Sequence, residues 1–349
     1  MQIGAFAPGI LDSADAPMDG SRLMIAVVAD GTGGPDVLKV QELPDPEPGP
    51  DEALLEVAAI GVNRADLLQR EGRYPPPPGA SPLLGLELSG RLADDATGLP
   101  AGTRAMALVG GGAYATRAVV HVSHLIPIPG DLSDEEAAAV PEAFLTAFHN
   151  LFDVGELKRG QAVLIHAAGS GVGTAAIQLA RQAGALVIAT SRTPAKLDRC
   201  QELGADITIA TGTEDFAERV LTETGGKGVD LILDFVGAAY WDKNIRSLAR
   251  HGRMALIGTM GGGTAAVDLG HLLHKRLRVE GSTLRGLTIE EKASLVMRAA
   301  PMLIPGFISK ALRPILDRVF PLEQAANAHR YMESNEGFGK IVLSTRLNS

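Results

Sequence analysis

Between Gln161 and Arg192 the chain reads QAVLIHAAGSGVGTAAIQLARQAGALVIATSR. Three glycines, Gly169, Gly171 and Gly173, alternate with Ser170 and Val172 where an apolar run gives way to a helical one. Small residues there leave backbone N–H groups open at a helix N-terminus, where the helix dipole favours negative charge. The chemistry this suits is the holding of a pyrophosphate. A tight structural turn would also use glycines, so the flanks decide. Before them, Ala162-Val163-Leu164-Ile165 is continuously apolar, as in a strand buried on both faces of a parallel sheet. After them, Ala176, Ile177, Leu179, Ala180 and Ala183 recur at helical spacing, with Gln178, Arg181 and Gln182 on the opposite side. Gly184 ends that helix and Leu186-Val187-Ile188-Ala189 forms a second buried strand. The unit is βαβ with glycines at its first turn, which is the context a dinucleotide site requires.

The end of the second strand selects the dinucleotide. A site for the unphosphorylated form places Asp or Glu there to bond the ribose 2′-hydroxyl. Here Thr190-Ser191-Arg192 stands instead, with Lys196 one turn further on. A hydroxyl and two cations suit a 2′-phosphate, so NADPH is the expected cofactor.

These residues need two bodies to position them. At 349 residues, 46% hydrophobic and 21% charged, the chain is long and apolar enough for two globular domains. A net charge of −9 argues against a nucleic-acid partner. The single cysteine, Cys200, excludes an internal disulfide and a thiolate-rich zinc site, and fits a reducing compartment. A cytoplasmic location is therefore expected. No apolar run is long enough to span a membrane. Residues 1–23 read as a loosely ordered extension, without the basic start of a signal peptide.

From Met24 the pattern is antiparallel β. Met24–Val28 and Val37–Val40 pair around a glycine-rich turn, and Ala53–Ile60 resumes after proline at every second position from Pro44 to Pro50. A short helix over Ala65–Glu71 places Leu67 and Leu68 inward and Arg64, Gln69 and Arg70 outward. Leu83–Gly90 is a strand carrying a buried carboxylate, Glu87. Asp134–Leu151 is helical. Strand–helix alternation then runs through Ile207–Ile209, Phe216–Thr222, Val229–Asp234, Ile245–Leu248, Met254–Gly258 and Leu277–Gly281, which demands a parallel sheet covered on both sides. The tail, with a strand at Arg318–Leu322, a helix over Leu322–Met332 and Gly339–Leu343, returns to the first domain. The expected boundaries are 24–147 for the β-rich part, 148–287 for the nucleotide part and 288–349 for the return.

Four stretches, NRADLLQREGRYPPPPGAS (Asn63–Ser81), PEAFLTAFH (Pro141–His149), HAAGSGVGTAAIQLAR (His166–Arg181) and YWDKN…GTMGGG (Tyr240–Gly263), resemble the zinc-free quinone oxidoreductases of the medium-chain dehydrogenase/reductase superfamily. The likeness runs from about Met24 to Leu343 and looks strongest to the NADPH-dependent, tumour-suppressor-inducible type. It implies a GroES-like β-rich catalytic domain beside a doubly wound Rossmann domain, a cleft between them, and a homodimer joined through the Rossmann sheet edges. Zinc-dependent relatives carry Cys where Asn63 stands and His where Leu86 stands, so no metal site is expected.

The resemblance also implies roles. Asn63 and Thr146 would lie around the nicotinamide, Tyr74 beside the acceptor, and Ser170 near phosphate and substrate. Ser191, Arg192 and Lys196 match the 2′-phosphate site, while Gly258, Met260 and Lys340 sit in segments that usually line the cleft; Val236 falls beyond a strand's carboxyl end, where ligands of such sheets bind. A tyrosine frequent in relatives near Thr211 is missing. On their own, Asn63 reads equally as a helix cap, Tyr74 as packing on its prolines, and His149 and His166 as structural residues.

The expected reaction is hydride transfer from NADPH to a quinone or similar enone, with Asn63, Tyr74 or water near the developing oxyanion. Reduction of an activated C=C bond is a second reading, and a non-enzymatic NADPH-binding protein a third.

Overall fold

The computed structural model describes residues 22–96 and 98–346. Most of the expected N-terminal extension lies outside those residues, and Leu23 already opens the first strand. In chain order the first part comprises β1 (Leu23–Ala29), β2 (Leu38–Pro44), β3 (Glu52–Val62), α1 (Arg64–Arg70), β4 (Glu87–Leu92), β5 (Arg104–Leu108), β6 (Arg117–His121) and β7 (Leu125–Pro127). Two helices follow, α2 (Asp134–Ala138) and α3 (Pro141–Phe148). The nucleotide part holds β8 (Ala162–Ile165), α4 (Gly171–Gln182), β9 (Leu186–Ser191), α5 (Ala195–Leu203), β10 (Ile207–Ala210), α6 (Phe216–Glu223), β11 (Val229–Asp234), α7 (Trp241–Ser247), β12 (Leu248–Leu256), α8 (Leu269–Lys275) and β13 (Arg278–Gly281). The chain closes with α9 (Ile289–Ile308), β14 (Leu316–Pro321), α10 (Ala325–Ser334) and β15 (Lys340–Ser344).

Two large sheets result. One is parallel throughout, in the order β10-β9-β8-β11-β12-β13. Successive crossovers run outward in opposite directions from β8 and β11, so the crevice for a ligand opens beyond the carboxyl ends of those two strands. The other follows β14-β15-β3-β4-β5-β7, with β6 also on β3. It is antiparallel except for β14 on β15, and β1 and β2 form a separate hairpin. The chain is thus an α/β protein with a GroES-like sheet domain and a Rossmann domain.

Strand β8 is buried on both faces, which explains its unbroken apolar run, and β11 is apolar over its buried centre, Leu231–Leu233. The inner face of α4 (Ala175, Ala176, Ile177, Leu179 and Ala180) closes one side of that sheet together with α3 and α9. A separate core fills the GroES-like domain around Leu55, Ile60, Leu88 and Tyr114.

Several local expectations shift. Helix α4 starts at Gly171 rather than Thr174, because Ser170 caps it and supplies the stability its glycines lack. The helical region from Asp134 breaks before Pro141, which starts a new helix where a missing N–H costs nothing. α3 then runs into a π-helical stretch, His149–Val154. Ile245–Leu248 is the end of α7 and the first residue of β12. Arg70, expected outward, is 2% exposed. Its guanidinium is drawn in by Gly33 O at 2.9 Å, Glu333 at 2.7 Å and the His329 ring at 3.2 Å.

Candidate active site

The turn after β8 ends in Ser170, whose Oγ accepts the Gly173 N–H at 3.1 Å. The first N–H groups of a helix have no partner within it. With Gly173 capped, those of Gly171 and Val172 remain for an anion, in the mouth of the crevice. Beyond the end of β11, Asp234 fixes the facing loop by accepting the Val236 and Gly237 N–H groups at 2.7 and 3.1 Å. Gly258 N–H bonds Asp234 O at 3.2 Å, and Met260, 55% exposed, follows it on the surface. Ser170, Val236 and Gly258 thus all follow C-terminal ends of central strands, where a dinucleotide would cross the sheet.

Behind this rim His166 is fully buried. Asn244 Oδ1 lies 2.7 Å from its Nε2 and Thr190 Oγ1 2.8 Å from its Nδ1. Asn244 also donates to Asp234, so its oxygen faces the ring, Nε2 carries the hydrogen and Nδ1 accepts from Thr190. Burial pushes the imidazole down to about 4, so it is neutral. His166 ties the ends of β8, β9 and β11 together.

At the end of β9 a recess of about 570 Å³ is lined by Arg192, Thr193, Lys196, Ser334, Asn335 and Glu336. Ser191 Oγ accepts the Thr193 N–H at 3.1 Å, which leaves its own hydrogen to donate. Lys196 Nζ donates to Asn335 O at 2.7 Å, and burial beside Arg192 holds its pKa below the usual lysine range. Arg192 is exposed, and its guanidinium has no hydrogen bond or ion pair among the described residues. A charged fork without a partner, beside a hydroxyl and an ammonium, fits a phosphate monoester. Near Thr211, where the tyrosine frequent in relatives is missing, the Tyr240 hydroxyl donates to Thr211 Oγ1 at 2.9 Å.

Across the crevice, Asn63 stands at the N-terminus of α1. Its backbone N–H is capped by Asp66 Oδ2 at 2.8 Å, and its side chain also bonds groups beyond the helix. Asn63 Nδ2 donates to Glu87 Oε1 at 2.9 Å, and Asn63 Oδ1 accepts from Lys340 Nζ at 2.7 Å. Lys340 Nζ also bonds Val62 O at 3.0 Å and Glu87 Oε1 at 2.5 Å. With all three hydrogens used inside the protein, its ammonium is a strut and only its stem runs under the glycine turn. Glu87 Oε2 accepts the Glu142 N–H at 2.8 Å, joining this group to the start of α3. Thr146, 6% exposed, lies one turn along α3.

Tyr74 is half-buried. Its carbonyl accepts from Arg285 at 3.2 Å and its ring lies 5.3 Å from that guanidinium. Burial, with Glu142 nearby, raises the phenol, so its O–H is intact at neutral pH. Arg285 also bonds Gly110 O at 3.0 Å and Gln69 Oε1 at 2.6 Å, pinning α1 and two loops of the GroES-like domain. Deeper, Asp66 is pushed up to about 6 by burial. Tyr114 lies against it and against His329, itself pushed down to about 3 by burial and Arg70. Sequence reasoning missed Glu142, Arg285 and Asp66. An acid in a first helical turn, such as Glu142 or Asp66, carries no signal beyond helix stabilisation.

The arrangement defines a class: a two-domain, dinucleotide-dependent oxidoreductase with its reaction cleft between the sheets. Residues 49–130 match the alcohol dehydrogenase GroES-like domain and residues 171–299 the zinc-binding dehydrogenase domain. The quinone oxidoreductase of Pseudomonas aeruginosa is 33% identical over 317 residues, covering 89% of this chain and 96% of that one. The crystal structure of Escherichia coli quinone oxidoreductase complexed with NADPH superposes with a TM-score of 0.83 at 31% identity, over 92% of this chain and 99% of that one. A phenolphthiocerol/phthiocerol polyketide synthase of Mycobacterium tuberculosis is 32% identical over 337 residues, 96% of this chain; the chain spans about 15% of that relative's length. The chain belongs to the quinone oxidoreductase family of the medium-chain dehydrogenase/reductase superfamily.

Proposed function

We propose that this protein is an NADPH-dependent oxidoreductase that delivers hydride to a quinone or a similar electron-poor enone, without zinc. The observation that carries the reading is the Arg192 guanidinium, without a partner among the described residues, beside Lys196 and Ser191 and across the crevice from Asn63, Thr146 and Tyr74. The NADPH complex of the E. coli relative supports it. Zinc independence is supported by Asn63 and Leu86, which offer neither thiolate nor imidazole. Among the described residues no group of three or more His, Cys, Asp or Glu is placed to hold a metal ion.

Bound NADPH would supply the hydride, so the protein needs only to bind, orient and polarise. Gly171 and Val172 N–H groups, with the α4 dipole, hold the pyrophosphate. Ser191, Arg192 and Lys196 hold the 2′-phosphate. Asn63, fixed on both sides of its amide by Glu87 and Lys340, sets one wall of the nicotinamide site, and Thr146 the other. The Tyr74 hydroxyl faces the acceptor as a donor to the developing oxyanion.

The remaining assignments follow the same reading. The β13 edge is exposed at all four residues, and Leu269 and Leu273 of α8 are 69% and 74% exposed, which suits a homodimer joined there. The single cysteine suits the cytoplasm. No helix among the described residues is long and apolar enough to cross a membrane. The test is oxidation of NADPH by the purified chain with a benzoquinone and, separately, with a 2-alkenal, alongside zinc analysis. Turnover with the quinone at substoichiometric zinc is expected. Faster turnover of the alkenal would move the assignment to C=C reduction. NADPH binding without turnover of either would leave a binding protein.

A further inference from the structure

Helix α3 is buried at every residue but one. Pro141 and Ala143–Phe148 are closed off, whereas Glu142 is partly exposed. Its backbone is held by Glu87, yet its carboxyl group has no hydrogen bond or ion pair among the described residues. Thr146 lies four residues on, hence on the same face one turn away. That puts the Glu142 carboxyl beside the position assigned to the nicotinamide ring and within electrostatic reach of Tyr74. Glu142 is the one residue of α3 that is not fully buried, and its carboxyl lies among groups that line the cleft, Tyr74, Arg285 and Glu87.

The groups around it come from six elements. Glu87 of β4 and Asp66 of α1 are acidic. Lys340 of β15, Lys292 of α9 and Arg285 of the preceding loop are basic, and Tyr74 follows α1. Burial is the main influence on the carboxyl and lifts it to about 8; Glu87 and Asp66 add to the rise while Lys340 and Lys292 oppose it. The cations are engaged elsewhere: Lys340 on Glu87, Lys292 on Arg285 O at 3.2 Å, and Arg285 on Gln69 and two carbonyls. At neutral pH Glu142 therefore holds a proton that no described residue accepts, poised for a reacting group.

We propose that Glu142 is the catalytic acid that protonates the acceptor as it is reduced. This rests on the hydride-transfer reading above. The acceptor gains a hydrogen and two electrons from NADPH, and its carbonyl oxygen takes up the negative charge. The Glu142 O–H bond then breaks, and the proton passes to that oxygen, or to the α-carbon of an enone. The carboxylate left behind regains a proton from water. The sum is NADPH, one proton and the acceptor giving NADP⁺ and the reduced acceptor. Tyr74 keeps its hydrogen and serves as a hydrogen-bond donor.

The test compares wild type with Glu142→Gln and Glu142→Asp. The Gln variant is expected to lose roughly 10²- to 10⁴-fold in kcat while its affinity for NADPH is unchanged. The wild-type kcat should fall as pH rises through about 8. That limb should vanish in the Gln variant and persist in the Asp variant. Independently of turnover, infrared difference titration of the nucleotide-free protein should show a protonated carboxyl at pH 7 that ionises near pH 8 and is missing from Glu142→Gln. An ionised Glu142 at pH 7, or a Gln variant with full kcat and an unchanged pH profile, overturns the proposal alone. A wild type that turns over neither quinone nor alkenal overturns the functional reading, and this proposal with it.

Discussion

Lys340 Nζ and Glu87 Oε1 lie 2.5 Å apart in a site where the two side chains are 6% and 0% exposed. The pair joins the C-terminal strand β15 to β4, and each partner also holds Asn63. Separating a buried pair costs more than the pair itself contributes, because an uncompensated charge is left behind. Lys340→Met should therefore destabilise the chain by about 3–5 kcal/mol in urea unfolding. Adding Glu87→Gln should recover part of that loss, since the stranded carboxylate is then neutral. A double variant as unstable as the sum of the singles would show that the two charges do not act together.

The same lysine explains one of the glycines. A Cβ on Gly171 would stand 2.3 Å from Lys340 Cδ, and one on Gly173 2.6 Å from Ala168 O. The expectation that these positions are bare to admit a pyrophosphate gives only part of the cause. In the structure the crowding atoms are the protein's own. A side-chain methylene can yield where a backbone carbonyl cannot. Gly173→Ala should thus lower Tm more than Gly171→Ala, at a cost of about 1–3 kcal/mol. Equal melting temperatures would refute this ordering.

How far each region was legible in the sequence follows from how its contacts are made. The Rossmann half shows itself because a strand such as β8, sealed on both faces, is apolar throughout, and because the glycine turn sits within one local βαβ unit. Glu87 announces itself as a buried carboxylate through the apolar residues around it, but its partner is 253 residues away. Arg70 reads as a solvated helix residue, since the groups that draw it inward, Gly33, His329 and Glu333, come from distant segments. Arg285 meets Gly110 across 175 residues and leaves no local trace. Local periodicity records one element's neighbours, whereas the cluster around Asn63 is assembled from α1, β4, α3 and β15.

Cofactor choice should follow the recess at the end of β9. Arg192 has no protein partner to lose among the described residues, so its replacement changes ligand binding without unfolding a network. A charge-assisted contact is worth about 1.5–3 kcal/mol. Arg192→Ala should accordingly raise KM for NADPH roughly 10- to 100-fold and leave KM for NADH unchanged. Steady-state kinetics with both nucleotides checks this. A parallel rise for NADH would place Arg192 outside the 2′-phosphate site.

Acid should loosen the nucleotide domain through His166. Its folded pKa of about 4 lies below the ordinary 6.5, because burial disfavours the imidazolium. The unfolded chain therefore binds protons first. The stability this residue confers is complete above about pH 6.5 and is lost as pH falls toward 4, up to roughly 3 kcal/mol. His329, pushed down to about 3, acts with the same sign. Asp66, raised to about 6, acts with the opposite sign, gaining stability as it protonates. Comparing wild type with His166→Gln cancels the contributions common to both. Urea unfolding from neutral pH down toward the folded pKa should show a shallower acid loss in the variant, which starts less stable because Thr190 and Asn244 lose their shared partner. Equal slopes would mean that His166 takes up no proton on unfolding, and the assignment of a neutral imidazole linking β8, β9 and β11 would fail.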